Sequence, residues 1–232
     1  MQDRIALAIW VLGMGVQVCF VGSTILRKAF FRYFFLNLYI IFCVSADLLR
    51  QFVLNHYGYS SAEYVYTYYY TDCLLTVALF IAVISLASHV FQELNLVRYV
   101  QLVAVLLLLG TAGFSYAVVA QSKDRLSTTF ALELSQNLYF VGLVLTYLLW
   151  GAVLKLHETR TRLVQMILSL GLYFSAYAGS YALMNMHPES GALLKFAAPM
   201  IGCFLPVSWA LTILRYSEES RLTPSRLVAV PR

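Results

Sequence analysis

Seven apolar runs of roughly 20 residues follow one another along this chain of 232 residues. An α-helix of that length crosses the hydrocarbon core of a bilayer, which is about 30 Å thick. Only 12% of the residues are charged, about half the share in a soluble domain. The sequence therefore predicts an all-α polytopic membrane protein, a bundle of seven transmembrane helices within residues 1–215. The predicted helices are at about 5–26, 33–54, 64–91, 99–120, 129–153, 163–185 and 192–215.

The first run, Ile5 to Leu26, is too long for the core of a signal peptide and has no small-residue cleavage site, so we expect a retained helix. The segments between the runs are short, which predicts that consecutive helices are antiparallel neighbours.

The positions of the basic residues predict the orientation. Of 16 Lys and Arg residues, 11 fall on one side of the predicted bundle, three on the other and two inside spans. Lys and Arg accumulate in cytoplasmic loops, so we expect the N-terminus outside and the C-terminus in the cytoplasm of a bacterium, with the protein in its plasma (inner) membrane. Residues 216–232 form a short basic cytoplasmic tail that is too short to fold alone. The net charge of +5 is explained by topology, and we expect no nucleic-acid partner.

Charged residues inside spans are the strongest candidates for a functional site, because they are costly in lipid and usually face the bundle interior or a water-filled cavity. At a rise of about 1.5 Å per residue, all of them fall in the outer half of the bilayer. Arg50 is three residues after Asp47, so the two share a face and can pair, whereas Asp72 needs a partner from another helix. The five residues are Asp47, Arg50, Asp72, Glu133 and Lys195.

Uncharged residues extend this candidate site. Gln136 and Asn137 lie on the same face of the fifth predicted helix as Glu133. Tyr173 and Tyr177 begin an i, i+4 stripe on the sixth helix, on a different face from the small residues that favour close helix packing. With Tyr69, these tyrosines would form the aromatic walls of an outward-facing cavity.

A structural interpretation of the same residues stays open. Tyrosines at the start of the third helix, such as Tyr64 and Tyr66, are typical of an interfacial belt. An Asp–Arg pair inside a bundle can be an internal polar network that holds helices together.

The sequence lacks the residues that several classes of catalytic and metal-binding site require. The four histidines all fall near predicted helix ends, which disfavours haem and zinc sites. No nucleophile elbow, Walker motif or HExxH motif is present. We therefore expect no catalytic residue, no metal and no cofactor, and a protein that is not an enzyme.

The segment "TDCLLTVALFIAVISLASHVFQE", with its tyrosine-rich lead, resembles uncharacterised bacterial seven-helix integral membrane proteins. The resemblance covers mainly the third helix. It implies the seven-helix fold and assigns no functional residue.

The hypothesis that follows is a receptor-like membrane sensor or ligand-binding protein with an outward-facing polar and aromatic cavity, signalling through a separate partner. Its ligand would be a small molecule or a lipid. A non-catalytic integral subunit of a larger membrane complex is the alternative, and a small transporter is the third. Besides the lipid bilayer, the expected partners are another membrane protein or a second copy of the chain.

Overall fold

The computed structural model describes residues 2–92, 96–120, 126–156, 160–186 and 191–216. Within these ranges, the side chains of residues 2–9, 126–127, 181, 184–185 and 191–199 are outside the description. The longer secondary-structure elements in the described ranges are all α-helices. The helices are α1 (Gln2–Leu26), α2 (Phe34–Tyr57), α3 (Ala62–Phe91), α4 (Val97–Ala120), α5 (Leu126–Lys155), α6 (Thr161–Met186) and α7 (Gly191–Arg215).

The helices are those of a membrane protein in length and composition. Within the described residues, five of them (α2 to α6) contain stretches that are long and apolar enough to cross a bilayer. The described parts of α1 and α7 contain shorter apolar helices, Trp10–Leu26 and Met200–Arg215. The lengths and composition of these helices confirm the predicted all-helical membrane fold. The seven helices occupy the seven predicted segments of the chain.

The helices form a closed ring. Each helix packs on the next in the chain, and α1 closes the ring by packing on α7. Helix α3 also packs along α5 and touches α6, so it contacts at least four of the other helices. Side chains on α3 can therefore contact more of the other helices than side chains elsewhere.

The apolar side chains are divided between the interior of the bundle and its outer surface, which is suited to contact with lipid. Large side chains such as Phe20, Met166 and Trp209 are fully buried in the main core. On α4, by contrast, Leu102, Leu106 and Leu109 are each more than half exposed. This pattern is expected where lipid tails cover the outside of a bundle.

Close helix approach has one clear site, between α5 and α6. A methyl group at Gly142 on α5 would come within 2.4 Å of the Phe174 ring on α6. Gly171 on α6 also faces α5. A methyl group at Gly171 would lie 3.5 Å from the Thr146 side chain, an ordinary contact distance. Among the described residues, nothing lies within 4 Å of a methyl group placed at Gly179, so this glycine of α6 makes no such close contact.

A tight turn between α2 and α3 sets the register of the candidate site. Gly58 ends α2 with φ of 82°, in the left-handed region that favours glycine. Ser61 then caps α3, its hydroxyl accepting a hydrogen bond of 3.1 Å from the backbone N–H of Tyr64. The short connection holds the last turns of α2 against the first turns of α3.

Arginines tie the helices together at the end of the bundle where α1, α3, α5 and α7 finish, which we call the basic end. Arg27 donates to the carbonyl of Leu214, and Arg160 donates to the carbonyl of His89. Arg162 is buried and donates to the carbonyl of Tyr216 at 2.6 Å. These contacts satisfy carbonyls at helix C-termini that have no helical donor.

Candidate functional site

Arg50, on α2, occupies the centre of the candidate site. Its Nε donates a 2.7 Å hydrogen bond to the Thr71 hydroxyl on α3, and its Nη2 donates to the backbone carbonyl of Tyr68 at 3.2 Å. The guanidinium also lies 4.4 Å from the centre of the Tyr68 ring, a cation–π contact. Arg50 is therefore held by neutral groups of α3.

Asp47 has a different partner from the predicted one. Its Oδ2 accepts a hydrogen bond of 3.1 Å from Nε2 of Gln17 on α1. The Arg50 guanidinium is close enough to act on the Asp47 carboxylate electrostatically, but among the described residues no direct ion pair joins the two. Pairing across one turn of α2 is replaced by contacts to two neighbouring helices.

Asp72 lies one residue beyond the Thr71 that holds Arg50. Its carboxylate is within electrostatic range of the Arg50 guanidinium and faces the Ser135 hydroxyl of α5. Ser135 is fully buried, and its Oγ has no hydrogen bond of good geometry among the described groups. Ser135 of α5 is thus a neighbour of Asp72 from another helix, but no described hydrogen bond joins the two.

These side chains form one group, which we call the polar core. It links α1, α2, α3 and α5 around a single guanidinium with a carboxylate on either side. Its members are Gln17, Asp47, Arg50, Thr71, Asp72 and Ser135.

A group of buried tyrosines, the tyrosine cluster, borders the polar core. Tyr173 and Tyr177 on α6 contact one another at 4.7 Å between ring centres. Tyr177 stacks on Tyr139 of α5 at 4.8 Å with an interplanar angle of 4°. The Tyr173 hydroxyl lies 3.4 Å from that of Tyr39 on α2. Tyr177 is also within electrostatic range of Asp72, which connects the cluster to the polar core.

The remaining predicted residues are spread more widely. Tyr69 is half-buried on α3 and contacts Tyr68 edge to face, at 5.8 Å. Asn137 donates a 2.9 Å hydrogen bond to Ser115 on α4. Glu133 and Gln136 are half-buried on α5, and no described hydrogen bond or ion pair joins them to the polar core. Lys195 lies on α7, and its side chain is outside the description.

Several members of the site were not predicted. Gln17 is the one amide in the long apolar run of the first helix, and that isolation was a usable signal. Ser135 lies two residues from Glu133 and so on a different face of α5. Thr71, Tyr39 and Tyr139 have no distinguishing pattern, because Thr and Tyr are common inside membrane helices.

A small cavity of about 10 Å³ lies at the basic end, away from the polar core. That volume is roughly the least that holds one water molecule. The lining is cationic and aromatic, and the Tyr33 and His89 rings stack at 6.1 Å within it. The lining residues are Arg32, Tyr33, His89, Arg160, Arg162 and Leu163.

No protein family, curated protein or solved structure matches this chain. The fold alone defines the class, a helical, membrane-embedded protein. Within the described residues, no three His, Cys, Asp or Glu side chains lie together as a metal-binding group. The polar core can exchange hydrogen bonds, hold a charged group or take up a cation.

Proposed function

We propose that this protein is a receptor-like seven-helix membrane sensor, or ligand-binding protein, whose site is the polar core with the tyrosine cluster as its aromatic wall. The observation that carries the proposal is the position of Arg50. It lies within electrostatic range of both Asp47 and Asp72, but it donates its described hydrogen bonds to Thr71 and Tyr68.

Such an arrangement has two alternative states. A small shift of the Arg50 side chain would exchange neutral partners for a carboxylate, with which a guanidinium can form two parallel hydrogen bonds. A ligand that binds the guanidinium, or neutralises one carboxylate, therefore biases the choice between states. A ligand shifts such an equilibrium only by its difference in affinity for the two states.

The ligand that fits is a small molecule or lipid with an anionic group for Arg50 and an apolar or aromatic body. Arginine binds carboxylates and phosphates through its planar fork of donors. Tyr173 and Tyr177, which contact one another on α6, are the proposed aromatic wall. Lys195, on the first turns of α7, is the proposed second cation of the site.

A continuous path of packed side chains connects this site with the basic end. Tyr39 of the tyrosine cluster contacts Trp209 of α7 edge to face, and Trp209 contacts Phe20 of α1. The end of α7 is held by Arg27 and Arg162. We place the basic end in the cytoplasm of a bacterial inner membrane and the N-terminus outside, so that a separate partner protein reads the state of α7.

A thermal-shift screen tests the proposal. The purified protein, in lipid nanodiscs, is screened against small carboxylic acids, phosphate esters and anionic lipids. For a compound that raises the unfolding temperature, Arg50→Gln should reduce affinity at least tenfold and Tyr177→Phe several-fold. The matched controls are Arg98→Gln and Tyr147→Phe, whose side chains are exposed outside the polar core, and these should bind as the wild type does.

Each alternative function has its own outcome. Equal loss of affinity in Arg50→Gln and Arg98→Gln would contradict the proposal that the ligand binds at the polar core. A stable stoichiometric complex on gentle purification would favour an integral subunit of a larger assembly. Flux of the identified compound across proteoliposomes would favour a transporter.

A further inference from the structure

Gln17 on α1 is a buried amide with half of its hydrogen-bonding capacity unused. Its side chain is only 9% exposed, and its Nε2 donates to Asp47 Oδ2 at 3.1 Å. Its Oε1 is buried and has no hydrogen-bond partner among the described groups. A buried acceptor without a donor is costly and requires an explanation, such as an ordered water or an ion.

Reversing the amide does not remove the problem. With Oε1 and Nε2 exchanged, two oxygens would face one another and the bond to Asp47 would be lost. The observed orientation is therefore the better of the two. It leaves an amide oxygen next to a carboxylate, and both are acceptors.

Helix α7 packs against α1 one turn before Gln17. Cys203 is within electrostatic range of Asp47, and its Sγ lies 3.2 Å from the position of a methyl group at Gly13. Pro206 has no N–H, so the carbonyl of Gly202, beside Cys203, cannot receive its helical hydrogen bond. Helix α7 thus has a carbonyl without its helical donor one residue from its contact with α1.

The local charge decides between a water and an ion. Among the side chains of the polar core, Asp47 and Asp72 are two carboxylates beside the single guanidinium of Arg50. A neutral water would supply donors but would leave the negative charge uncompensated in a low-dielectric interior. A cation supplies both.

We propose that Asp47 and Gln17 bind one monovalent cation, sodium, between α1, α2 and α7. The carboxylate and Oε1 are its side-chain ligands. Oxygen ligands suit a hard cation, and a single carboxylate at the junction suits one positive charge better than the two of Ca²⁺. The site deepens the proposed function and rests on it only through Asp47, because sodium would set the charge that Arg50 experiences.

Unfolding temperature in different salts tests the proposal with sodium ion itself as the probe. The purified full chain in nanodiscs is heated in NaCl, KCl or choline chloride at equal ionic strength and fixed pH. A ligand at ten times its Kd should raise the midpoint by about 3–6 °C for a chain of this size. The expected shift appears in NaCl and is small or absent in choline chloride.

Variants locate the ion. Asp47→Asn and Gln17→Met should each remove the sodium-dependent shift, whereas Gln17→Glu, which adds a second carboxylate, should lower the sodium Kd several-fold. Gln165→Met, at a half-buried position near the start of α6 and outside the polar core, is the matched control and should keep the wild-type shift. Lys195→Met should keep the shift too, and a shift that arises only in that variant would identify Lys195 as the resident counter-charge and overturn the proposal.

Two other results would overturn it. Equal midpoints in NaCl and choline chloride would mean that a buried water satisfies Gln17. A sodium shift unchanged in both Asp47→Asn and Gln17→Met would place the ion elsewhere. Neither result depends on the thermal-shift screen with organic ligands, which can succeed where the sodium site fails and fail where it succeeds.

Discussion

Arg50 on α2 and Thr71 on α3 are joined by a hydrogen bond of 2.7 Å inside the bundle. The Thr71 hydroxyl in turn donates to the backbone carbonyl of Thr67 at 2.6 Å. A charged group is thus held by a hydroxyl that is itself anchored to its own helix. The arrangement fixes the guanidinium without using either neighbouring carboxylate.

Removing the guanidinium should destabilise the protein. Arg50→Ala is expected to lower the free energy of unfolding by about 2–3 kcal/mol, because Asp47 and Asp72 lose their nearby positive charge. Unfolding in mixed micelles with increasing SDS measures the change. Arg98→Ala, at an exposed position, should change it by less than about 0.5 kcal/mol.

The double variant Arg50→Ala with Asp72→Asn isolates the electrostatic part of the stability lost in Arg50→Ala. Removing one carboxylate should restore about 1 kcal/mol of the loss, as a positive coupling in a double-mutant cycle. Strict additivity of the two single changes would show that Arg50 and Asp72 do not interact.

Gly142 should tolerate no side chain. In Gly142→Ala the new methyl group would overlap the Phe174 ring, which is fully buried, so the ring has to shift against its neighbours. We expect a net loss of about 1–3 kcal/mol despite the better helix propensity of alanine. Gly110→Ala, with nothing within 4 Å, should be neutral or stabilising by up to about 1 kcal/mol. Adding Phe174→Leu to Gly142→Ala should recover part of the loss in the same SDS titration, and no recovery would refute the overlap.

Arg162 should hold the end of α7 in place. Its guanidinium donates to the carbonyls of Ile213 and Tyr216, and hydrogen bonds from charged groups contribute about 1.5–3 kcal/mol. Arg162→Gln should therefore accelerate tryptic cleavage after Arg215, identified by mass spectrometry of the released peptide. Arg98→Gln is the control, and equal cleavage rates in the two variants would contradict the role.

Fusion reporters test the orientation that the basic residues predict. A green fluorescent protein at the C-terminus should fluoresce, and an alkaline phosphatase at the same point should be inactive, because the first matures in the cytoplasm and the second requires the periplasm. The opposite pair of results would invert the topology. Exchange of Arg27, Lys28 and Arg32 for glutamine should weaken the orientation preference, since loop Lys and Arg residues establish it.

The sequence determined the number of helices and their places along the chain. Each run of apolar residues carries its own length and composition, and the backbone of such a run satisfies its hydrogen bonds within one helix. The sequence also showed which spans contain charge and that Asp72 needed a partner from elsewhere. These are local properties, readable without knowing which helices are neighbours.

The tertiary structure decided which groups meet. Arg50 faces Thr71 instead of pairing with Asp47, Gln17 supplies the partner of Asp47, and Asn137 turns to Ser115 on α4. Each of these contacts depends on how far a helix is rotated about its axis and on which helix lies beside it. That rotation is set by packing summed over the whole ring, including the close approach at Gly142, and no short stretch of sequence contains it.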